Sequence, residues 1–108
     1  MSTGVITSFT LIDFLNESEM TAFFVFFEKN IEVLSDELRA NGMIKFYVTR
    51  VFDKNDKFTN SNWPEYKDAG SYKACNDVWA KFMTEKGNKS GLIGKVAPHR
   101  CVVQYDYS

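Results

Sequence analysis

The sequence is poor in the residues that bind metals or cross-link small domains. It has two cysteines, Cys75 and Cys101, and a single histidine, His99. Two isolated cysteines are too few for a disulfide framework, and they lack the paired spacing of a zinc site. We therefore expect no bound metal ion.

The chain also lacks an excess of charge of either sign. Thirteen Lys and Arg residues oppose fourteen Asp and Glu residues, which gives a net charge of −1. No basic face or tail is evident to make the phosphate contacts on which nucleic-acid binding depends. We expect no nucleic-acid partner.

Long hydrophobic segments are missing as well. No apolar run reaches the roughly 18 residues of a membrane-spanning helix. The stretch "MSTGVITSFT" has no basic region leading into an apolar one, unlike a signal peptide. The sequence thus predicts a cytoplasmic protein with no membrane partner.

Aromatic side chains, in contrast, are abundant and make up 16% of the 108 residues. A chain of this length predicts one domain, spanning residues 1–108. Aromatic residues are enriched in interfaces and ligand pockets as well as in cores. Filling the core is the simpler explanation for any one ring.

The first half of the chain predicts a strand followed by a long helix. "GVITSFTLI", Gly4–Ile12, is rich in β-branched and apolar residues, which favours a strand. Apolar residues then recur at spacings of three and four between Glu17 and Asn41, which is typical of one helix face. Asn16 with Glu19 forms a capping box, and Gly42 is placed to end the helix.

The second half continues the alternation. We predict, in order, a strand at Met43–Phe52, a turn at Asp53–Asp56, a strand at Lys57–Trp63, a helix at Asp68–Met83, a loop at Thr84–Ala97 and a strand at His99–Tyr107. The resulting β-α-β-β-α-β order is the ferredoxin-like α+β fold, a four-stranded antiparallel sheet with both helices on one face. The first and third strands are central in that topology.

The helix-free face of this sheet needs a cover. The first two strands carry apolar residues on both faces, whereas a sheet with one wet face alternates cleanly. A broad apolar patch marks a partner surface, and the simplest partner is a second copy of the chain. We expect a homodimer in which Phe9 or Val48 faces the partner.

A polar row in the predicted third strand, "KFTNSNWPEY", is unusual. Asn is depleted in strands, and a buried amide needs hydrogen-bond partners. Alternation places Asn60 and Asn62 on one face and Trp63 on the other. We interpret the row as the floor of a small-molecule cavity, with Asn60 or Asn62 bonding a ligand oxygen and Trp63 at the mouth. Alternatively, one side of the row faces solvent or a wet dimer seam.

Three segments carry a resemblance to a known group. "RANGMIKFYVTRVF" joins a long helix through a glycine to a strand, "KFTNSNWPEY" closes a strand on tryptophan, and "DAGSYKACNDVW" begins an aromatic–alanine helix. In order and spacing, the chain resembles the antibiotic-biosynthesis-monooxygenase-like members of the dimeric α+β barrel superfamily. The resemblance implies ferredoxin-like subunits that pair sheet to sheet into a dimeric α+β barrel.

That superfamily includes haem-degrading enzymes and cofactor-independent oxygenases acting on polycyclic aromatic phenols. The haem degraders need an axial histidine on the helix after the tryptophan strand, and Asp68–Met83 has none. Likeness to the oxygenases implies no cofactor. It also implies that Asn60 or Asn62 supplies the amide of a catalytic site, Trp63 the indole, and Tyr72 or Tyr66 the phenol.

The expected function is binding of a hydrophobic or aromatic small molecule between sheet and helices. Trp63, Phe24, Phe27 and Trp79 would form flat apolar walls, and Arg50 or Arg100 would add charge if its side chain points inward. His99 is either a surface or structural residue or a general base. Tyr66, His99 and Arg100 complete the candidate ligand contacts. The sequence leaves open an oxygenase, a non-catalytic binding protein, and a regulatory or assembly dimer.

Overall fold

A computed structural model describes residues 4–52, 58–87 and 95–108 of the chain. Its elements are β1 (Ile6–Phe14), α1 (Glu17–Ala40), β2 (Met43–Arg50), β3 (Phe58–Tyr66), α2 (Ala69–Phe82), a π-helical turn (Met83–Gly87) and β4 (Lys95–Val102). The predicted β-α-β-β-α-β order is confirmed. Neither helix in the described ranges is both long and apolar enough to cross a membrane.

The four strands form one antiparallel sheet in the order β2-β3-β1-β4. The prediction that the first and third strands are central is therefore confirmed. Residues that lie opposite each other on neighbouring strands share a face of the sheet. Asn62 on β3 lies opposite Thr10 on β1 and Val48 on β2, so these three side chains belong to one face.

Helix α1 begins and ends where its capping residues predict. The side chain of Asn16 accepts a hydrogen bond from the Glu19 backbone N–H at 2.9 Å. Glu19 in turn accepts one from the Leu15 N–H at 3.3 Å. At the other end, Gly42 has a φ of +106°, a left-handed conformation that glycine adopts without strain.

Two hydrophobic clusters join the helices to the sheet. The larger contains Leu34, Leu38, Met43, Tyr66, Cys75 and Val78. The smaller contains Ile12, Phe14 and Met20, with Phe23 and Phe24 packed against it. Cys75 is fully buried, and its thiol bonds the Leu38 carbonyl oxygen. Both clusters lie on the helix-covered face of the sheet.

Several predicted boundaries are wrong. Strand β1 ends at Phe14 rather than Ile12, and β2 ends at Arg50 rather than Phe52. The π-helical turn occupies part of the predicted loop, and β4 spans Lys95–Val102 rather than His99–Tyr107. The predicted turn at Asp53–Asp56 lies outside the described residues.

Strand β3 continues through Pro64 to Tyr66, beyond the predicted end at Trp63. Proline has no N–H to donate, and it is unusual in a central strand. The pairing of β1 with β3 accordingly has a gap between Thr7–Glu65 and Thr10–Asn62. The Thr7 hydroxyl donates to the Pro64 carbonyl oxygen at 3.3 Å, beside this gap.

Candidate functional site

A cavity of about 290 Å³ lies between the helix-covered face of the sheet and the two helices. Its walls are aromatic rings from α1 and α2: Phe23, Phe26, Phe27, Tyr72, Trp79 and Phe82. Its floor is formed by the central strands, through Ser8, Thr10, Ile12, Asn62, Pro64 and Tyr66. The edge strand β4 contributes Val96, Pro98 and Arg100, all exposed.

The local sequence explains this arrangement. Alternation along β1 and β3 turns every second side chain, from Ser8 and from Asn62 onward, toward the helices. Helical spacing brings Tyr72, Asn76 and Trp79 of α2 to the same side. The cavity therefore has a polar floor under an aromatic roof.

Of the two asparagines predicted for the site, only Asn62 lines the cavity. Its Oδ1 atom is buried and has no hydrogen-bond partner among the described residues. Asn60 is completely buried on the same face of the sheet. Neither of its side-chain amide atoms has a hydrogen-bond partner among the described residues. Asn60 lies beside the cavity floor rather than on it.

Tyr66 and Trp79 connect the floor to the roof. The Trp79 indole Nε1–H donates to the Tyr66 hydroxyl oxygen at 3.0 Å. Burial raises the pKa of Tyr66 to about 12, against the opposing effect of hydrogen bonds from Trp79 and Ser8. Tyr66 is therefore a neutral phenol at neutral pH, able to donate its proton in a hydrogen bond. The Tyr72 ring lies 5.6 Å from it, centroid to centroid.

Arg100 places a positive charge at the exposed side of the cavity. It lies opposite Ser8 in the sheet, on the helix-covered face, and its Cζ is 5.9 Å from the centroid of the Tyr72 ring. That distance is within cation–π range. Arg50, the other arginine predicted to add charge, lies outside the cavity, and its guanidinium is 3.4 Å from the Glu17 carboxylate.

Trp63 corrects the sequence interpretation. By alternation it lies on the helix-free face, so its predicted position at the cavity mouth is wrong. Its ring stacks on Phe9 with centroids 4.8 Å apart, and Phe9 stacks on His99 at 4.5 Å. His99 touches the edge of the cavity, yet its ring belongs to this stack.

Phe24 also differs from its predicted position. It packs against the cluster of Ile12, Phe14 and Met20 instead of lining the cavity. Phe27, Tyr66, Tyr72 and Trp79 do line it, as do Asn62 and Arg100. The predicted site is therefore brought together in part, without Asn60, Trp63 and Phe24.

Several lining residues were not singled out from the sequence, including Ser8, Thr10, Phe26, Asn76 and Phe82. The signal for Ser8 and Thr10 was present, since both are polar residues two apart in a strand otherwise rich in apolar residues. Asn76 follows Tyr72 by four positions and so shares its helix face. In the described part of the chain, no cluster of three or more His, Cys, Asp or Glu residues is placed to hold a metal ion.

The helix-free face carries the aromatic stack of Phe9, Trp63 and His99. Tyr47 lies opposite Trp63 on the neighbouring strand and is 59% exposed. Of the two residues predicted to face a partner, Phe9 lies on this face and Val48 on the helix-covered one. An exposed aromatic surface of this kind is a usual mark of a protein interface.

Comparison with known proteins places the chain in a family. Residues 3–103 match the family described as a domain of unknown function, DUF6974. The chain belongs to this family. No curated protein matches the sequence.

Solved structures with the same fold extend the comparison. A dimeric ferredoxin-like protein from an uncultured marine organism is 30% identical, with a TM-score of 0.88 over 94% of this chain and 97% of that one. A second dimeric ferredoxin-like protein from an uncultured marine organism is 22% identical, with a TM-score of 0.86 over 96% and 98%. The ferredoxin-like fold and the resemblance to the dimeric α+β barrel superfamily are confirmed.

A more distant structure shares the fold alone. SnoaB, a cofactor-independent oxygenase from Streptomyces nogalater, is 10% identical, with a TM-score of 0.63 over 96% of this chain and 97% of that one.

Proposed function

We propose that this protein is a homodimer that binds a small, largely apolar molecule in the cavity beneath α1 and α2. The observation behind the proposal is that the buried Oδ1 of Asn62, on the floor of an aromatic-walled cavity, has no hydrogen-bond partner in the described part of the chain. Leaving a buried polar group without a partner costs about 1–3 kcal/mol. A ligand group, or ordered water in its absence, would remove that cost.

The cavity volume supports binding of more than water. About 290 Å³ would hold on the order of ten water molecules, from the liquid volume of about 30 Å³ each. It lies near the lower end of the range for small-molecule sites, roughly 300–1,000 Å³. Flat aromatic walls with few polar groups suit a compact aromatic or alicyclic ligand. This favours a binding site over a dimer whose cavity is filled by side chains.

The dimer is proposed from the helix-free face. Its stack of Phe9, Trp63 and His99, with Tyr47 beside it, would be covered if two copies packed sheet to sheet. The relative that is 30% identical is a dimeric ferredoxin-like protein, which agrees with this arrangement. The aromatic stack would then be structural, and each subunit would keep its own cavity on the opposite face of its sheet.

Cofactor-independent oxygenation is a second candidate, favoured by the hydrogen-bond donors around the cavity. Tyr66, with a pKa raised to about 12 by burial, would donate to an oxygen on which charge develops. The substrate would be a phenolate whose ring is conjugated with a CH₂ group, and it would reduce O₂: the CH₂ carbon loses its two hydrogens and takes one oxygen atom as a carbonyl oxygen, and the other oxygen atom leaves with those hydrogens as water. The fold likeness to the oxygenase SnoaB is consistent with this chemistry.

A thermal-shift screen of small aromatic compounds tests the binding proposal, with two variants for comparison. Asn76→Phe places a ring in the cavity, whereas Asp77→Phe places the same ring at an exposed neighbouring position outside it. We expect ligands that raise the melting temperature of the wild type and of Asp77→Phe but not of Asn76→Phe. The absence of any stabilising ligand, or stabilisation that survives Asn76→Phe, would contradict the proposal.

Oxygen uptake distinguishes the catalytic candidate from simple binding. A phenol that carries a conjugated CH₂ group and stabilises the wild type is incubated with the protein in an oxygen-electrode cell. Consumption of O₂ above the rate without protein, abolished by Asn76→Phe, would support the oxygenase. A bound phenol with no uptake would leave a non-catalytic binding protein.

A further inference from the structure

We propose that the ligand is an amphiphilic anion, whose charged oxygen binds at Arg100 and whose apolar body extends toward Phe23. This inference rests on the proposed binding function and names the ligand class of the same cavity. It follows from an asymmetry in the lining, which has a polar, positively charged end and an aromatic end.

The polar end is built from four side chains. Arg100 and Ser8 lie opposite each other on β4 and β1, Tyr72 lies beneath the guanidinium, and the Tyr66 hydroxyl lies close to Ser8. An arginine fork and neighbouring hydroxyl donors are suited to a carboxylate or phenolate oxygen.

The positive charge at this end has no carboxylate partner in the described part of the chain. Among the described residues, Arg100 makes no ion pair, and its guanidinium lies over the Tyr72 ring. The described residues that line the cavity include no Asp or Glu and no second permanently charged cation. A neutral ligand would form no ion pair with Arg100, and a cationic ligand would be repelled by it.

The aromatic end lies farther along the same strands. Ile12 and Val96 lie opposite each other there, and Phe23 packs against the cluster that contains Ile12. Ser8 and Ile12 are four residues apart, which corresponds to about 13 Å along a strand. A fused bicyclic ring bearing one anionic group would span much of that distance.

Calorimetric titration at neutral pH with naphthoate and with the neutral naphthalenemethanol tests the proposal. For the wild type we expect naphthoate to bind at least about tenfold more tightly, because hydrogen bonds to charged groups are the stronger ones. Arg100→Gln should reduce that ratio to near one, with little change in the affinity for the neutral alcohol. Equal affinities in the wild type, or a ratio unchanged in Arg100→Gln, would overturn the proposal.

Arg50→Gln is the matched control, since Arg50 is an exposed arginine on the opposite edge strand and outside the cavity. It should keep the full preference, and loss of preference there would assign the effect to overall charge and overturn the proposal. Preserved melting temperatures would show that both variants are folded. If neither compound binds the wild type, the binding function itself fails; binding without preference contradicts the anion inference alone.

A third compound separates the two sources of an anionic oxygen. Naphthol is neutral in solution at neutral pH, and its absorbance changes when it ionises. A naphtholate spectrum on binding that is lost in Arg100→Gln would identify a phenolate ligand. Binding of naphthoate with the preference described, and of naphthol only in its neutral form, would identify a carboxylate.

Discussion

The indole N–H of Trp79 donates to the hydroxyl oxygen of Tyr66 at 3.0 Å, which joins helix α2 to the central strand β3 across the cavity. The bond occupies an acceptor site on the Tyr66 oxygen and leaves its proton available to another acceptor. Because Tyr66 is only 4% exposed, ionising it would place a negative charge in an apolar environment. This explains the direction of its pKa shift.

Stability at alkaline pH should therefore depend on Tyr66. Burial raises its pKa from the ordinary value of 10.0 to about 12 in the folded protein. Between those values the unfolded chain loses the proton and the folded one keeps it, so the Tyr66 contribution is complete below 10.0 and is lost as pH rises toward 12. The expected slope is roughly −1.4 kcal/mol in unfolding free energy per pH unit.

Urea unfolding of wild type and Tyr66→Phe over that pH range measures the effect. The difference between the two proteins removes the titration of the other tyrosines and the lysines, which both share. We expect the wild-type advantage to shrink with rising pH. A constant difference would show that Tyr66 is not protected from ionisation.

A second prediction concerns Gly42, the glycine at which α1 ends. A Cβ added at Gly42 would lie 2.1 Å from the Ser71 hydroxyl oxygen, and the φ of +106° already disfavours alanine. Gly42→Ala should lower the free energy of unfolding by about 2–5 kcal/mol, the sum of backbone strain and overpacking. Gly4→Ala is the control, because Gly4 has a φ of +79° but no atom of the described residues lies within 4 Å of the added carbon.

Thermal or urea unfolding separates the two contributions. Gly4→Ala should cost clearly less, since only strain applies there. Adding Ser71→Gly to Gly42→Ala should recover part of the loss, because the clashing hydroxyl is removed. Equal losses for the two single variants would argue against the contact with Ser71.

The helix-free face provides a prediction about assembly. Phe9 lies between Trp63 and His99 in the aromatic stack, so Phe9→Glu would bury a charge in a sheet-to-sheet interface. The wild type should sediment as a dimer and the variant as the 12.4 kDa monomer or as aggregates. Val33→Glu, at a 76% exposed apolar position on α1, should remain dimeric. A wild type found only as monomer would refute the dimer.

Local patterns were sufficient to predict the order of elements. Helical spacing with Asn16 and Gly42 gave the limits of α1 to within a residue, because capping and glycine chemistry act over a few neighbouring positions. The predicted end of β3 at Trp63 was wrong. Proline is normally disfavoured in a central strand, but Pro64 fits here because the pairing of β1 with β3 has a gap beside it. The start of β4 was predicted too late, at His99, because the sequence before it is rich in glycine and lysine and is typical of a loop.

The candidate site was predicted in part for a similar reason. Neighbouring residues in a strand point to opposite faces of the sheet, so Trp63 and Asn62 cannot both face the cavity. The prediction that both belong to the site was inconsistent with this alternation. The Trp79–Tyr66 bond and the position of Arg100 over Tyr72 join residues that are distant in sequence. Such pairings arise from how helices pack on the sheet, and periodicity within one element does not contain them.

Asn60 and Asn62 differ in a way that thermal melting should reveal. Asn60 is fully buried, neither of its amide atoms has a partner among the described residues, and it does not line the cavity. Asn60→Val removes that burial cost and places a β-branched residue in a strand, so it should raise the free energy of unfolding by about 1–2 kcal/mol and leave naphthoate binding unchanged. Asn62→Val should weaken naphthoate binding instead, because the side-chain amide N–H of Asn62 on the cavity floor can donate to the carboxylate and valine cannot. Melting each variant with and without naphthoate makes both comparisons at once, and each variant is the control for the other. If both substitutions destabilise the protein and neither alters binding, the asparagines support the fold through contacts of their own, and Asn62 has no part in the site.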